Sequence, residues 1–185
     1  MKFSHGLLFI WDLAAREAAI TNFSEIQPVH FLLAILKIVE ISPDNFQIDS
    51  RDIESGILED LKAEIKDIQK AFDSIRPNST FFRRRLRQTI QRPNEIYNHP
   101  DAIHRSMESR NLFRVAEHLA RSDYKLSQTV GIYHLLEALA EIANPPWQPI
   151  LVDIGFNNLQ QIVSADRSSV ESAKNEKLSQ TPLLD

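Results

Sequence analysis

The sequence contains no cysteine and only four glycines among its 185 residues. Without thiols the chain can form no disulfide, has no cysteine nucleophile and binds no zinc through cysteine, and the cytosol is its default location. No glycine is followed by lysine, so there is no phosphate-binding loop ending in Gly-Lys-Ser/Thr. No two glycines lie within five residues of each other, which also excludes a dinucleotide-binding fingerprint. The sequence therefore contains no recognisable nucleotide site.

Long hydrophobic runs are also missing. The longest apolar stretches are about a dozen residues and carry charges, which is too short to span a bilayer. Asp12, Arg16 and Glu17 interrupt the N-terminal apolar run and no clean cleavage site follows, so we expect no signal peptide. The composition, 43% hydrophobic and 25% charged, is typical of a globular domain. A net charge of −4 argues against a protein that mainly binds nucleic acid.

Apolar residues recur at helical spacing through almost the whole chain. Leu61, Ile65, Ile68 and Phe72 follow one another at steps of four, three and four, which predicts a long amphipathic helix. Comparable series predict about eight helices and no competing strand, so we expect an all-α fold. Short polar segments separate the helices, and they are interpreted as loops at Ser42–Ser50 and Arg92–Pro100. Three local signals mark helix ends: Pro28 as a first-turn residue, Gly155 as a left-handed C-cap and Asn157 as an N-cap.

The same helical unit occurs twice in the sequence. Ser4, Ala14 and Ala18 match Ser106, Ala116 and Ala120 at a constant offset of 102, and Trp11 matches Phe113. Ile26 and His30 then match Val130 and His134 at an offset of 104. Each half is a capped helix, a short turn and a strongly apolar helix with a histidine in its first turn. Because such a unit cannot bury both helices alone, we expect two copies packed about a pseudo-twofold axis.

These residues resemble the N-terminal domain of Clp-type AAA+ unfoldases and disaggregases, an all-helical double repeat. The first repeat carries Phe-Ser before its first helix and Ile-x-x-x-His-x-Leu-Leu at its second (residues 26–33). The second repeat carries Val-Gly-x-x-His-Leu-Leu (residues 130–136) and Asp-Ile-Gly-Phe (residues 153–156). No single one of these motifs is specific for the family. The whole set in this order, present twice, is specific. The chain's last five residues, Thr-Pro-Leu-Leu-Asp, resemble the start of the first ATPase module of these proteins.

The resemblance implies a domain organisation. Residues 1–163 form the double-repeat domain, with repeat one at 3–92 and repeat two at 104–163. A segment at about 40–79 is longer than the corresponding part of the family. Residues 164–185 form a linker or disordered tail that leads to an ATPase module outside this sequence.

The family relationship also implies a function: recruitment of substrate or adaptor proteins to an ATPase ring. This chain would bind no cofactor itself, since ATP and Mg²⁺ belong to the downstream module. We expect no catalysis, no membrane contact and a cytoplasmic location. The parent ring would be a hexamer formed through the ATPase module, and the isolated domain a monomer.

The two repeated histidines have two interpretations. Each is a metal ligand or base, or each caps the start of its helix. The two histidines are far apart in the sequence, and His30 has no His, Asp or Glu at ligand spacing on its own helix, so we favour capping by His30 and His134, together with capping by Ser4 and Ser106. One branch of the family has a glutamate before each histidine that helps to bind phosphoarginine. Here Val29 and Tyr133 occupy those positions, so we expect phosphoarginine binding to be absent and protein contact to be apolar or aromatic; simple packing of both side chains is the alternative.

A basic cluster and a tryptophan complete the candidate sites. One predicted helix carries Arg83, Arg84, Arg85 and Arg87. The cluster either binds an acidic partner or nucleic acid, or is a solvated face whose charge is neutralised by carboxylates of the preceding helix. Those carboxylates are Glu59, Asp60, Glu64 and Asp67. Trp147, after two prolines, is either a partner anchor or a packed residue. The leading hypothesis is a protein-binding domain. A stand-alone adaptor or decoy module is the alternative, and a nucleic-acid binder is a third.

Overall fold

The structure is a computed structural model that describes residues 1–41, 55–73, 78–93, 103–122 and 129–162. The predicted all-α fold of about eight helices is confirmed. Its helices are α1 (His5–Ile20), α2 (Pro28–Glu40), α3 (Ser55–Ala71), α4 (Ser79–Ile90), α5 (Met107–Ser122), α6 (Ile132–Ala140), α7 (Gln148–Asp153) and a short α8 at residues 159–162. The loop predicted at Ser42–Ser50, most of the one at Arg92–Pro100 and the tail at 164–185 lie outside the described residues.

Four two-residue strands, each just before a helix, join the two halves. β1 (Lys2–Phe3) pairs in parallel with β4 (Thr129–Val130), and β2 (Glu25–Ile26) pairs in parallel with β3 (His104–Arg105). In the repeat alignment β1 corresponds to β3 and β2 to β4. The first pair therefore maps onto the second when the halves are exchanged, which is the mark of a twofold interface.

Backbone hydrogen bonds and an aromatic contact show the same correspondence between the two halves. The Ser4 N–H donates to the Val130 carbonyl at 2.9 Å, and its counterpart, the Ser106 N–H, donates to the Ile26 carbonyl at 3.1 Å. Trp11 and Phe113, which are equivalent in the repeat, lie against each other with ring centroids 5.3 Å apart. A residue can touch its own counterpart only near the symmetry axis, so these two rings mark the axis.

The helix α2 forms the centre of the core. Ten of its thirteen residues are buried, because the stretch from Val29 to Val39 is apolar on nearly every face. It packs against α1 and α4 and contacts α3, α5 and α6. Phe31 meets Phe113 of the second repeat at 5.2 Å, so this helix links the two halves. An all-round apolar helix is typical of such a central position.

The helix α3, within the long central segment, is part of the core. Leu61, Ile65 and Ile68 are buried and face α1 and α2. The Gln69 side chain donates to the carbonyls of Ile38 and Ile41, at 3.1 and 2.6 Å, and so caps the C-terminal end of α2. The inserted segment therefore completes the first repeat.

The end of the second repeat shows one confirmed cap and one corrected one. Gly155 has a φ of +91°, as predicted for a left-handed C-cap. The N–H groups of Gly155 and Phe156 donate to the carbonyls of Val152 and Leu151, which is the Schellman pattern. The predicted N-cap Asn157 is wrong by one residue. The Asn158 side chain accepts from the Gln161 N–H, because α8 begins at residue 159.

Candidate protein-binding groove

A groove of about 860 Å³ opens between the two repeats. It lies where the N-terminal turn of α2 and the C-terminal end of α4 meet α5, the end of α6 and the residues before α7. Both halves contribute apolar side chains: Val29 and Ile90 from the first, and Leu112, Val115, Ile142 and Trp147 from the second. A concave, mainly apolar surface of this size is the usual form of a binding site.

Two predicted site residues line this groove, although neither is exposed. Val29 is 5% exposed and Trp147 is 1% exposed. The tryptophan is therefore packed, which was one of its two sequence interpretations, and it forms part of the groove wall. Because it is buried, Trp147 does not project into solvent as an aromatic anchor.

Tyr133 lies elsewhere. Its side chain is half-buried on α6, packs against the core and is not among the groove residues. Its counterpart Val29 lies in the groove on α2. The two positions that precede the histidines therefore do not form one surface.

The charged residues at the groove are mostly acidic. Glu25, Glu108 and Glu141 are exposed, and Arg92 is the one cationic lining residue within the described ranges. The Arg92 guanidinium lies over the Phe23 ring at 4.0 Å. The Glu108 carboxylate accepts from its own backbone N–H and from the Ser106 hydroxyl, which lowers its pKa. Sequence reasoning missed these three glutamates. Only Glu108, just after a capping serine, has a local signal, since the other two reach the groove through tertiary packing.

His30 caps α2 and is wholly buried. Its Nδ1 accepts from the Gln27 N–H at 2.9 Å, so the ring proton must lie on Nε2, which is 3.1 Å from the Thr21 hydroxyl. That hydroxyl donates in turn to the Glu17 carbonyl at 2.8 Å. Burial, and secondarily the Arg92 charge, lower the pKa of His30 from 6.5 to about 3. Both ring nitrogens are engaged, so this imidazole is open neither to a metal ion nor to a substrate.

The second repeat has the same cap. His134 is 5% exposed, and its Nδ1 accepts from the Gly131 N–H at 3.1 Å. The serines also correspond, because Ser4 accepts from the Leu7 N–H at 3.0 Å and Ser106 from the Ser109 N–H at 3.2 Å. All four repeated polar residues thus act at helix N-termini.

The arginine cluster divides into two paired and two exposed members. Arg83 forms a two-pronged ion pair with Glu40 of α2, with contacts of 3.0 and 2.9 Å. Arg87 does the same with Glu17 of α1, whose side chain is only 1% exposed. The neutralising carboxylates predicted on α3 are therefore wrong for these two arginines. Arg84 and Arg85 point to solvent.

Glu64, which the sequence suggests as a partner of the arginine cluster, instead joins α3 to both repeats through a partly buried carboxylate. Glu64 accepts from the Ser4 hydroxyl at 2.9 Å and from the N–H groups of Ile132 and Gly6, at the starts of α1 and α6. Burial raises its pKa, and these hydrogen bonds act in the opposite direction. A Cβ atom at Gly6 or Gly131 would collide with this carboxylate, so a larger residue at either place would push the Glu64 side chain out of its hydrogen bonds. Sequence patterns hold no signal for such a contact, since its partners are far apart in the chain.

Replacing Glu64 tests this bridge. Glu64→Ala should lower the free energy of unfolding by about 1–3 kcal/mol, because three donors lose their acceptor. Gly6→Ala should be destabilising in the native background and milder once Glu64 is alanine, since the colliding carboxylate is then gone and the contact with Ile132 Cδ1 at 2.9 Å remains. Urea unfolding of the four proteins measures this coupling. The exposed Glu59→Ala on the same helix is the control, and additive effects of the two substitutions would contradict the bridge.

No protein-family model matches this chain, and no curated protein sequence matches it. None of the helices in the described ranges is both long enough and apolar enough to cross a bilayer. Within those same ranges, no group of three or more His, Asp or Glu side chains is arranged to hold a metal ion.

Proposed function

We propose that the chain is a non-catalytic protein-binding domain of a Clp-type ATP-dependent unfoldase or disaggregase. It would bind apolar segments of substrate or adaptor proteins in the groove between its repeats. The observation that carries this proposal is the groove itself, an apolar concavity of about 860 Å³ to which both repeats contribute. Support also comes from the repeated strand pairing and histidine caps, which fit the family that the sequence resembles.

The groove suits weak, reversible binding. Each apolar side chain transferred into it from water would contribute about 1.5–3 kcal/mol at most, because the groove stays open to solvent on one side. Association costs several kcal/mol in lost translational and rotational entropy. A few such side chains therefore give only a modest net affinity. A recruiting domain needs this property, since its cargo must pass on to an ATPase pore.

The remaining parts of the proposal follow the family resemblance. The chain would not catalyse a reaction, and ATP and Mg²⁺ would act in a downstream module of a hexameric ring in the cytoplasm. Phosphoarginine binding stays predicted to be absent. The stand-alone adaptor alternative uses the same groove, and the reading frame beyond Asp185 distinguishes the two. The nucleic-acid alternative has less support, because Arg83 and Arg87 are already paired with carboxylates.

An NMR titration tests the groove. A twelve-residue peptide with leucine and phenylalanine at its centre and serine–glycine flanks should shift amide signals around Val29, Leu112 and Trp147. Val115→Gln should weaken this binding about fivefold, because roughly 1 kcal/mol of apolar contact is lost.

Leu119→Gln is the matched control for the titration. Leu119 is half-buried on the same helix and does not line the groove, so its replacement should leave the affinity unchanged. Equal effects of the two substitutions, or shifts confined to another face, would overturn the proposed site.

A further inference from the structure

We infer that the groove selects apolar segments flanked by lysine or arginine over the same segments flanked by acidic residues. This inference rests on the proposed function and specifies its substrate class. The evidence for it is the charge of the residues around the groove, which is a separate observation from the apolar side chains that line it.

The first observation is the charge of the rim. Glu25, Glu108 and Glu141 are exposed lining residues, and each comes from a different element: β2, α5 and the end of α6. They therefore surround the groove from several sides. Among the lining residues that the structure describes, Arg92 is the single cation, so these residues carry a net charge of −2. An acidic rim attracts cationic flanks and repels anionic ones.

The second observation concerns that one cation. The Arg92 guanidinium lies over the Phe23 ring, its backbone N–H donates to the Thr21 carbonyl and its carbonyl accepts from the Asn22 side chain. It is thus held at the Phe23 side of the groove. Elsewhere on the rim, the charged lining residues that the structure describes are all glutamates.

The third observation is that the helix starts at the groove offer little to an acidic ligand. A helix N-terminus normally attracts anions through its free N–H groups. At α5 the Glu108 carboxylate already accepts from its own N–H and from Ser106. At α2 the first residue is Pro28, which has no N–H, and the His30 ring takes the Gln27 N–H. An incoming carboxylate would therefore compete with groups of the protein itself.

The other pair of helix starts supports this reading by comparison. At α1 and α6, the symmetry counterparts of α5 and α2, an acidic side chain does bind, and it is Glu64 of the protein's own α3. There, Gly6 and Ile132 stand in place of Glu108 and Pro28. Where the repeat accepts a carboxylate, it has glycine and an available N–H at these two positions; at the equivalent positions of the groove, the Glu108 N–H is bound by its own carboxylate and Pro28 has no N–H.

Three synthetic peptides test the inference. They share one apolar core and differ only in two flanking residues at each end: lysine, serine or glutamate. Fluorescence anisotropy of the labelled peptides with the full 185-residue chain measures affinity. At low salt the lysine-flanked peptide should bind about tenfold tighter than the glutamate-flanked one. The difference should shrink as salt is raised, because exposed charges are screened.

A charge-neutralised variant locates the effect. Glu25→Gln, Glu108→Gln and Glu141→Gln together should remove most of the preference. The matched control is Glu59→Gln, Asp60→Asn and Asp67→Asn on the exposed face of α3, which removes the same three charges and should keep the preference.

The outcomes separate this inference from the proposed function. Binding of all three peptides with equal affinity, or equal loss of preference in both triple variants, would overturn the inference and leave the groove as a binding site. Tightest binding of the glutamate-flanked peptide would also overturn it. Binding of none of the peptides would overturn the proposed function itself.

Discussion

Replacing Arg87 with alanine is expected to lower the free energy of unfolding by about 3–5 kcal/mol. The guanidinium holds both oxygens of Glu17, whose side chain is 1% exposed on the core side of α1. Removing it leaves a carboxylate buried without a counter-charge. Urea unfolding followed by circular dichroism measures the loss.

Arg84, on the same helix, provides the control. Arg84→Ala removes an identical side chain from the exposed face of the same helix and should change stability by no more than about 0.5 kcal/mol. A double variant, Glu17→Leu with Arg87→Met, should recover much of the loss, since a well-packed apolar pair avoids the cost of burying charge. Similar effects of Arg84→Ala and Arg87→Ala would show that the ion pair does not matter in solution.

Acidification below pH 6.5 is expected to destabilise the fold through His30. The native ring is neutral with a pKa of about 3, whereas the unfolded ring has a pKa near 6.5. Between these values the unfolded chain binds the extra proton, so stability falls as pH falls, by about 1.4 kcal/mol per pH unit. Protonation at Nδ1 would also remove the acceptor of the Gln27 N–H.

A difference measurement isolates this effect from the carboxylates, which also titrate in acid. His30→Gln should be less stable than the native chain at pH 7, because the cap is disturbed, but its stability should fall less steeply between pH 6.5 and 4. His118→Gln, at an exposed position on α5, should follow the native pH profile. Parallel profiles for native chain and His30→Gln would contradict the assignment.

Much of the fold can be predicted from sequence because its signals are local. Pro28 and His30 mark the start of α2, and the spacing of Leu61, Ile65 and Ile68 gives the buried face of α3. The repeat then predicts which helices correspond. It cannot predict which carboxylate meets which arginine, because Glu17 and Glu40 are distant from their partners in the chain.

The candidate site could be predicted only in part. The local sequence predicts Val29, before a repeated histidine, and Trp147, after two prolines, as site residues, and both line the groove. Tyr133, selected by the same reasoning, does not, because the equivalent positions of the two repeats have different surroundings. The acidic rim joins residues from three elements, so no local pattern could reveal it.

The pairing of β1 with β4 has a consequence for synthesis on the ribosome. Lys2 and Phe3 can bond to Thr129 and Val130 only after about 127 further residues have been made. At roughly 5–20 residues per second, that interval is on the order of ten seconds. During this time β1 of the nascent first repeat is unpaired, and the aromatic surface that contacts Phe113 is uncovered. Chaperones that act on emerging chains would meet the domain in this half-finished state.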